Sequence, residues 1–256
     1  MAIDRRTFLG VAGLSALGVA GGAAGIAAKG GNGGGGEPEE EKKRYAMVID
    51  TAKCASKEGC KKCMEACDHC HNIPDFGDDK AHEIKWIWKQ QFIDAFPGRE
   101  NEYADEKRQK LPIVLMCNHC DNPPCVRVCP TKATWKREED GIVMMDWHRC
   151  IGCRYCMAAC PYGSRSFNWF DPRPYIKEEN NDFPTRTRGV VEKCTFCDER
   201  LARGQQPACV ESCDQKALVF GDLKDPDSEV RKLLAEKDTI RRKPQLGTHP
   251  EVYYVL

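Results

Sequence analysis

The chain has 256 residues, of which 41% are hydrophobic and 8% aromatic, and the hydrophobic share already counts all 17 cysteines. That is a thin apolar supply for one large domain or two small ones, so bound metal is expected to help hold the body together. The 39 basic residues balance the 39 acidic ones, which argues against a general nucleic-acid binder and leaves protein partners open.

The first element in chain order is a targeting segment. Arg5-Arg6-Thr7-Phe8-Leu9 is a twin-arginine signature, and a Gly/Ala-rich apolar run follows from Val11 to Ala28. Residues 1–28 are expected to direct export of the folded protein to the extracytoplasmic (periplasmic-side) face of the cytoplasmic membrane. Ala24 and Ala27 offer cleavage sites, while the run is also long enough to stay as an anchor. Both outcomes stay open. Residues 29–44, with a glycine tract from Gly30 to Gly36, read as a flexible linker. No strand precedes these glycines and no Gly-Lys-Ser/Thr follows, so they do not cradle phosphate.

Met47-Val48-Ile49-Asp50 reads as a strand leading into a first cysteine group, Cys54, Cys60, Cys63 and Cys67. Ile113 to Met116 leads in the same way into a second, Cys117, Cys120, Cys125 and Cys129. Ala133 to Trp135 and Ile142 to Met145 flank Glu138-Glu139-Asp140-Gly141, a hairpin signal. The third group is Cys150, Cys153, Cys156 and Cys160, with one helical turn over Met157-Ala158-Ala159. The fourth is Cys194, Cys197, Cys209 and Cys213, closed by a strand from Leu218 to Phe220. A longer helix is expected from Pro226 to Lys237, with Asp225 as N-cap and proline at N1. The stretches 71–110 and 161–190 are too long for tight turns, and read as insertions that cover the metal sites or contact partners.

The third group spells C-x2-C-x2-C-x3-C-P, the bacterial ferredoxin run. Three closely spaced thiolates on a looping backbone reach three irons of one [4Fe–4S] cubane. The fourth, expected at the start of a short helix, points away and ligates the neighbouring cluster. An internal repeat supports the grouping. Met47 to Asp50 before Thr51-Ala52-Lys53-Cys54 matches Val143 to Asp146 before Trp147-His148-Arg149-Cys150. Pro123-Pro124-Cys125-Val126, ending Cys129-Pro130-Thr131-Lys132-Ala133, echoes Pro207-Ala208-Cys209-Val210, ending Cys213-Asp214-Gln215-Lys216-Ala217. Groups one and three therefore correspond, as do groups two and four.

Zinc suits the Cys-x2-Cys pairs Cys117/Cys120 and Cys194/Cys197, but not a quartet at ferredoxin spacing. Disulfides would be spent on tiny loops, and seventeen cysteines is an odd number. Cys67-Asp68-His69-Cys70-His71 also fits C-x-x-C-H, the haem c attachment pattern. Haem at Cys67, Cys70 and His71 would take the fourth ligand from group one and break its match to Cys160, so Cys70 is read as a spare thiol. His119 and His148 are expected to tune or shield clusters, and Trp86, Trp88, Trp147 and Trp169 to pack. No nucleotide fingerprint, flavin motif or catalytic triad is visible, so no independent catalytic centre is expected.

Over residues 45–256 the chain resembles the four-cluster iron–sulfur subunits of membrane-bound respiratory oxidoreductases of the polysulfide, dimethyl sulfoxide and formate type. The resemblance rests on Cys117-Asn118-His119-Cys120-Asp121-Asn122-Pro123-Pro124-Cys125 and on the run from Cys150 through Cys160-Pro161-Tyr162-Gly163. Group four also has the family's long gap, between Cys197 and Cys209. Within the family, the signal, His71-Asn72-Ile73-Pro74 and the segment Tyr162 to Trp169 most resemble the DsrO group, exported subunits linked to dissimilatory sulfite reduction.

The resemblance implies an α+β fold of two bacterial-ferredoxin-like modules with a C-terminal helix. One module would be residues 45–110 with 190–256, the other 111–189. It implies crossed ligands: Cys54, Cys60 and Cys63 with Cys213; Cys194, Cys197 and Cys209 with Cys67; Cys117, Cys120 and Cys125 with Cys160; Cys150, Cys153 and Cys156 with Cys129. Ala55-Ser56-Lys57-Glu58-Gly59 departs from the pattern by widening the first spacing. Expected partners are an NrfD-like membrane quinone-reactive subunit and other iron–sulfur and cytochrome subunits. Two alternatives are service to a molybdopterin enzyme such as polysulfide reductase, and a structural zinc or disulfide protein.

Overall fold

Strand β1 (Tyr45–Asp50) is followed by helices α1 (Thr51–Ala55) and α2 (Lys62–Cys70), then by strand β2 (Ile87–Gln91). Helices α3 (Phe92–Ala95) and α4 (Glu106–Gln109) lead to β3 (Pro112–Met116), α5 (Pro124–Arg127) and the hairpin β4 (Thr134–Lys136) and β5 (Val143–Met145). After α6 (Tyr155–Ala159) come β6 (Ser166–Phe167), β7 (Val191–Glu192), α7 (Asp198–Leu201) and α8 (Ala208–Glu211). The chain closes through β8 (Leu218–Asp222), α9 (Glu229–Glu236), β9 (Thr239–Ile240) and β10 (Val252–Val255). The structure is a computed structural model describing residues 42–99, 103 and 105–256, so the expected signal and residues 29–41 of the linker lie outside the described residues. Among the described residues no helix is long and apolar enough to cross a membrane.

β1 is central in a four-stranded sheet of order β8-β1-β10-β9. It runs antiparallel to β8 (Met47 opposite Phe220) and parallel to β10 (Met47 opposite Val252). Both its faces are buried, which explains the unbroken apolar run Ala46 to Ile49. Met47 and Ile49 enter the main core with Phe220, Val252 and Tyr254, whereas Ala46 and Val48 meet Val230 of α9 and Val255 on the other side. Several cysteines, including Cys63, Cys67, Cys194 and Cys209, belong to the main core themselves. The apolar supply is thin, and cysteine side chains make up part of the interior.

The repeat is legible in the backbone. The Asp50 N–H donates to the Ala217 carbonyl at 2.8 Å, and Asp146 donates to Ala133 at 2.7 Å in the matching place. Lys132 and Lys216, three residues after Cys129 and Cys213, both have positive φ, 53° and 49°. The expected hairpin is β4–β5, with Thr134 opposite Met145.

Two expectations change. The C-terminal helix begins at Glu229, with Ser228 as N-cap accepting from the Arg231 N–H, not at Pro226. Asp225 instead closes its own turn, its carboxylate accepting from the Asp227 N–H at 2.8 Å and its carbonyl from the Ser228 N–H. Cys160 follows α6 as its C-cap, and Cys156 lies within it, so the fourth cysteine of the ferredoxin run ends the helix instead of starting it. The two insertions pack on each other. The Asn72 side chain donates to the carbonyls of Asn180 (2.9 Å) and Phe183 (2.6 Å), and accepts from the Asn180 N–H (2.7 Å).

Candidate iron–sulfur centres

The cysteine loops share one backbone device. The residue just before the second cysteine of each group has positive φ: Gly59 (69°), His119 (40°), Gly152 (68°) and Phe196 (57°). Such a residue turns successive N–H groups into one concavity, a nest that suits anionic sulfur. The Phe196 N–H points at Cys194 Sγ at 3.4 Å, and the Ala217 N–H at Cys213 Sγ at 3.3 Å. At Gly152 a Cβ would collide with the Gly189 carbonyl oxygen and lie 3.2 Å from the Phe167 ring. His119 and Phe196 adopt the strained conformation with side chains attached, and their rings stack with centroids 3.7 Å apart, joining the loops of groups two and four.

These loops bring cysteines together across groups. One cavity is lined by Cys54, Cys60 and Cys63 of group one with Cys213 of group four. A second is lined by Cys117, Cys120 and Cys125 of group two with Cys160 of group three. Burial pushes the Cys67 thiol well up, and the sulfurs of Cys194, Cys197 and Cys209 beside it add to the shift. In a further core cluster, Cys125 and Cys156 are joined by Cys129 and Cys150, while Cys153 stays half-buried on the same loop. The sets also touch one another in sequence. Cys209 feels the sulfur of Cys63, Cys194 that of Cys117, and Cys156 that of Cys125.

None of the seventeen cysteines is paired in a disulfide. Burial drives Cys63 and Cys194 up to about 12, so these sulfurs become anionic only when a metal displaces the proton. Cys129 departs from this. Burial raises its pKa, but the Thr134 N–H and the Thr131 hydroxyl outweigh burial and hold it below the ordinary thiol range.

Cations are built in where sulfur charge would gather. Lys89 lines the first cavity and donates to the Cys60 carbonyl. Arg165 is buried among Cys125, Cys156 and Cys117; burial opposes its charge, yet those sulfurs raise its pKa. Lys193 is wholly buried beside Cys117, Cys194 and Cys125, and burial lowers its pKa against their pull. Donor sets of four thiols, backed by nests and buried cations, fit [4Fe–4S] clusters.

His119 is buried, its Nδ1 accepting from the Val143 N–H at 3.1 Å, and burial together with Lys193 holds its pKa well below the ordinary value. His148 is exposed. Trp86 is core and donates to Glu192 at 2.9 Å, whereas Trp169 is 41% exposed. His71 is 1% exposed, packed 4.5 Å from Trp86 and 4.9 Å from Phe183 between ring centroids, and its Nε2 faces Glu199 Oε1 at 3.1 Å. Arg165, Lys89 and Lys193 went unrecognised in the sequence. For Lys193 a signal existed, since it precedes Cys194 as Lys53 precedes Cys54 and Arg149 precedes Cys150, although those two are exposed.

Cysteine loops of this build on an α+β frame define an iron–sulfur protein of the ferredoxin-like class. Residues 111–223 match the family described as 4Fe-4S dicluster domain. A relative from Archaeoglobus fulgidus, Hdr-like menaquinol oxidoreductase iron-sulfur subunit 1, is 43% identical over 273 residues, covering 98% of this chain and 97% of its own. The menaquinone reductase iron-sulfur cluster-binding subunit of Nitratidesulfovibrio vulgaris is 39% identical, covering 83% of this chain and 88% of its own. A polysulfide reductase subunit from Wolinella succinogenes is 38% identical, covering 83% and 94%. The chain belongs to the family of [4Fe–4S] electron-transfer subunits of membrane-associated respiratory oxidoreductases.

Proposed function

We propose that the sixteen cysteines outside Cys70 hold four [4Fe–4S] clusters in the crossed sets implied by the family resemblance. Electrons would pass between an NrfD-like quinone-reactive membrane subunit and other iron–sulfur or cytochrome subunits. The carrying observation is that the fold lines one cavity with Cys54, Cys60, Cys63 and Cys213 and another with Cys117, Cys120, Cys125 and Cys160, two of the crossed sets. When bound, the clusters supply one-electron redox chemistry with no bond made to a substrate. The protein's own part is spacing and insulation: the buried thiols exclude water, the nests donate N–H groups to sulfur, and Lys89, Arg165 and Lys193 offset negative charge. Residues 45–110 with 190–256 form one module and 111–189 the other. The sheet that pairs β1 with β8 and β10 supports a module built from both chain ends.

A twin-arginine segment at residues 1–28 supports placement on the extracytoplasmic face. The full-length likeness to a menaquinol oxidoreductase subunit supports a quinone-linked complex, and the DsrO resemblance points to the one tied to sulfite reduction. Likeness to polysulfide and tetrathionate reductase subunits favours a second reading, service to a molybdopterin enzyme. Anaerobic isolation of the native complex decides between them. The first reading expects about sixteen irons in this chain, four per cubane, EPR signals that appear on adding a menaquinol analogue, and no molybdenum. Stoichiometric molybdenum supports the second, and clusters that dithionite reduces but quinol does not sink the quinone link.

A further inference from the structure

Cys70 is the one thiol that the cluster sets leave over, and it does not stand alone. Cys70 Sγ, His71 Nε2 and a Glu199 carboxylate oxygen all lie within 4.8 Å of one another. His71 Nε2 is 3.1 Å and Cys70 Sγ 4.0 Å from the same oxygen, Oε1. Tetrahedral zinc with bonds of about 2.0 Å to nitrogen and oxygen and about 2.3 Å to sulfur has ligand edges of roughly 3.3 to 3.6 Å. The longest separation, up to 4.8 Å, exceeds those edges by roughly an ångström, which side-chain rotation must close, and Cys70 and Glu199 are both only half-buried.

The imidazole is already set as a ligand. His71 Nδ1 lies 2.9 Å from the Cys67 carbonyl, which can only accept, so Nδ1 carries the proton. In the neutral ring Nε2 then presents a lone pair to a carboxylate oxygen that also presents one. Either a proton or a metal ion must stand between them. A second ring proton would join His71 to Glu199, with the Cys70 thiol reaching the same oxygen only at 4.0 Å. It would leave the buried Glu199 Oε2 without a hydrogen-bond partner among the described residues. A metal ion engages all three residues. Fixing the other ring nitrogen on a carbonyl is the usual support of a metal-binding histidine, and the packing of Trp86 and Phe183 holds the ring in place.

We propose that Cys70, His71 and Glu199 form a mononuclear Zn²⁺ site, separate from the iron-binding cysteines, with its fourth position open to water. One thiolate, one imidazole and one carboxylate make a donor set that zinc accepts. The ion would tie the C-terminal end of α2, just past Cys67, to α7, just past Cys197. Such a site requires that Cys70 lie outside the proposed cluster sets.

The test uses full-length protein purified anaerobically with its clusters, incubated with Zn²⁺ and desalted, followed by metal quantitation and zinc K-edge absorption, which iron does not mask. The expected result is one zinc per chain on top of full iron, with one sulfur at about 2.3 Å and the remaining scatterers nitrogen or oxygen at about 2.0 Å, the usual zinc bond lengths. Cys70→Ser and Glu199→Gln should each weaken zinc retention by about tenfold or more, the scale of losses at metal sites, with iron unchanged. No zinc in iron-replete wild-type protein overturns the proposal. So does zinc held equally by both variants, or a four-sulfur zinc spectrum. Should Cys70→Ser lose iron, Cys70 belongs to a cluster, and both this site and the assignment of group one fail. Glu199→Gln, which keeps every cysteine, reads the zinc site by itself. Low iron in the wild-type protein would count against the cluster reading, and lost zinc beside full iron against this one.

Discussion

The Lys193 ammonium donates to the carbonyl of Cys194 at 2.7 Å, and also to that of Val143, while the whole side chain is shut away from solvent. The sulfurs of Cys117 and Cys125 and the Arg165 guanidinium also act on it, so its positive charge sits where the two proposed modules meet. Reduction adds negative charge to a cluster, and a nearby cation favours it. At about 6 Å and an effective dielectric near 20 the interaction is roughly 3 kcal/mol, on the order of 100 mV for a one-electron couple. Lys193→Gln keeps a donor for the carbonyls but removes the charge. EPR-monitored redox titration should show two clusters shifted to lower potential at full iron content, and unchanged potentials would refute the role.

The crossed sets predict a pattern of losses among paired variants. Cys54→Ser and Cys213→Ser should each degrade the same EPR component, and the double variant should lose no further cluster. Cys54→Ser with Cys67→Ser should degrade two, although both residues belong to one run of sequence. If the paired losses instead follow the sequence groups, the crossed assignment is wrong.

The dicluster cysteine pattern was legible because ligand spacing is local. The C-x2-C-x2-C-x3-C-P run announces itself, and the duplication of Asp50 and Asp146 repeats as matching hydrogen bonds to Ala217 and Ala133. The long-range partners were not legible. Lys193 stands out in sequence only as the basic residue before Cys194, and its burial beside Cys117 appears only on folding; Glu199 meets His71 across 128 residues of chain. The helix start was misplaced because Asp225 and Ser228 are both good caps, and the turn that Asp225 closes delays the helix to Glu229.

Arg186 and Glu192 form an ion pair at 2.8 Å with both side chains at 0% exposure. Glu192 also accepts from Trp86 at 2.9 Å and from Asn168, and Arg186 donates to the Asn72 carbonyl at 2.7 Å. Removing one partner of such a pair strands the other charge in the interior, at a cost of about 3–5 kcal/mol. Arg186→Met should therefore lower the thermal unfolding midpoint of the iron-replete protein steeply. Arg186→Met with Glu192→Gln should recover part of the loss, because neither charge is then left unpaired. A single-variant cost below about 1 kcal/mol, the scale of an exposed pair, would show that water reaches Glu192.

Gly152 has φ of 68°, and a Cβ there would meet the Gly189 carbonyl oxygen head-on and press on the Phe167 ring at 3.2 Å. Gly152→Ala therefore adds a collision with backbone to a left-handed conformation that already costs about 1–2 kcal/mol for a residue with a side chain. Relief requires the Cys150–Cys153 loop to leave the nest or the 189–191 segment to move, and that segment leads into β7, which carries Glu192. The expected outcome is local: loss of the cluster assigned to Cys150, Cys153, Cys156 and Cys129, about four irons of sixteen by the cubane count, with the other EPR signals retained. Gly163→Ala makes the control, since its φ is 65° but nothing lies within 4 Å of the added carbon. It bears the conformational strain without the collision, so it should keep all its iron. Equal iron loss in the two variants would mean that left-handed strain alone disrupts these loops, and that the contact with Gly189 is incidental.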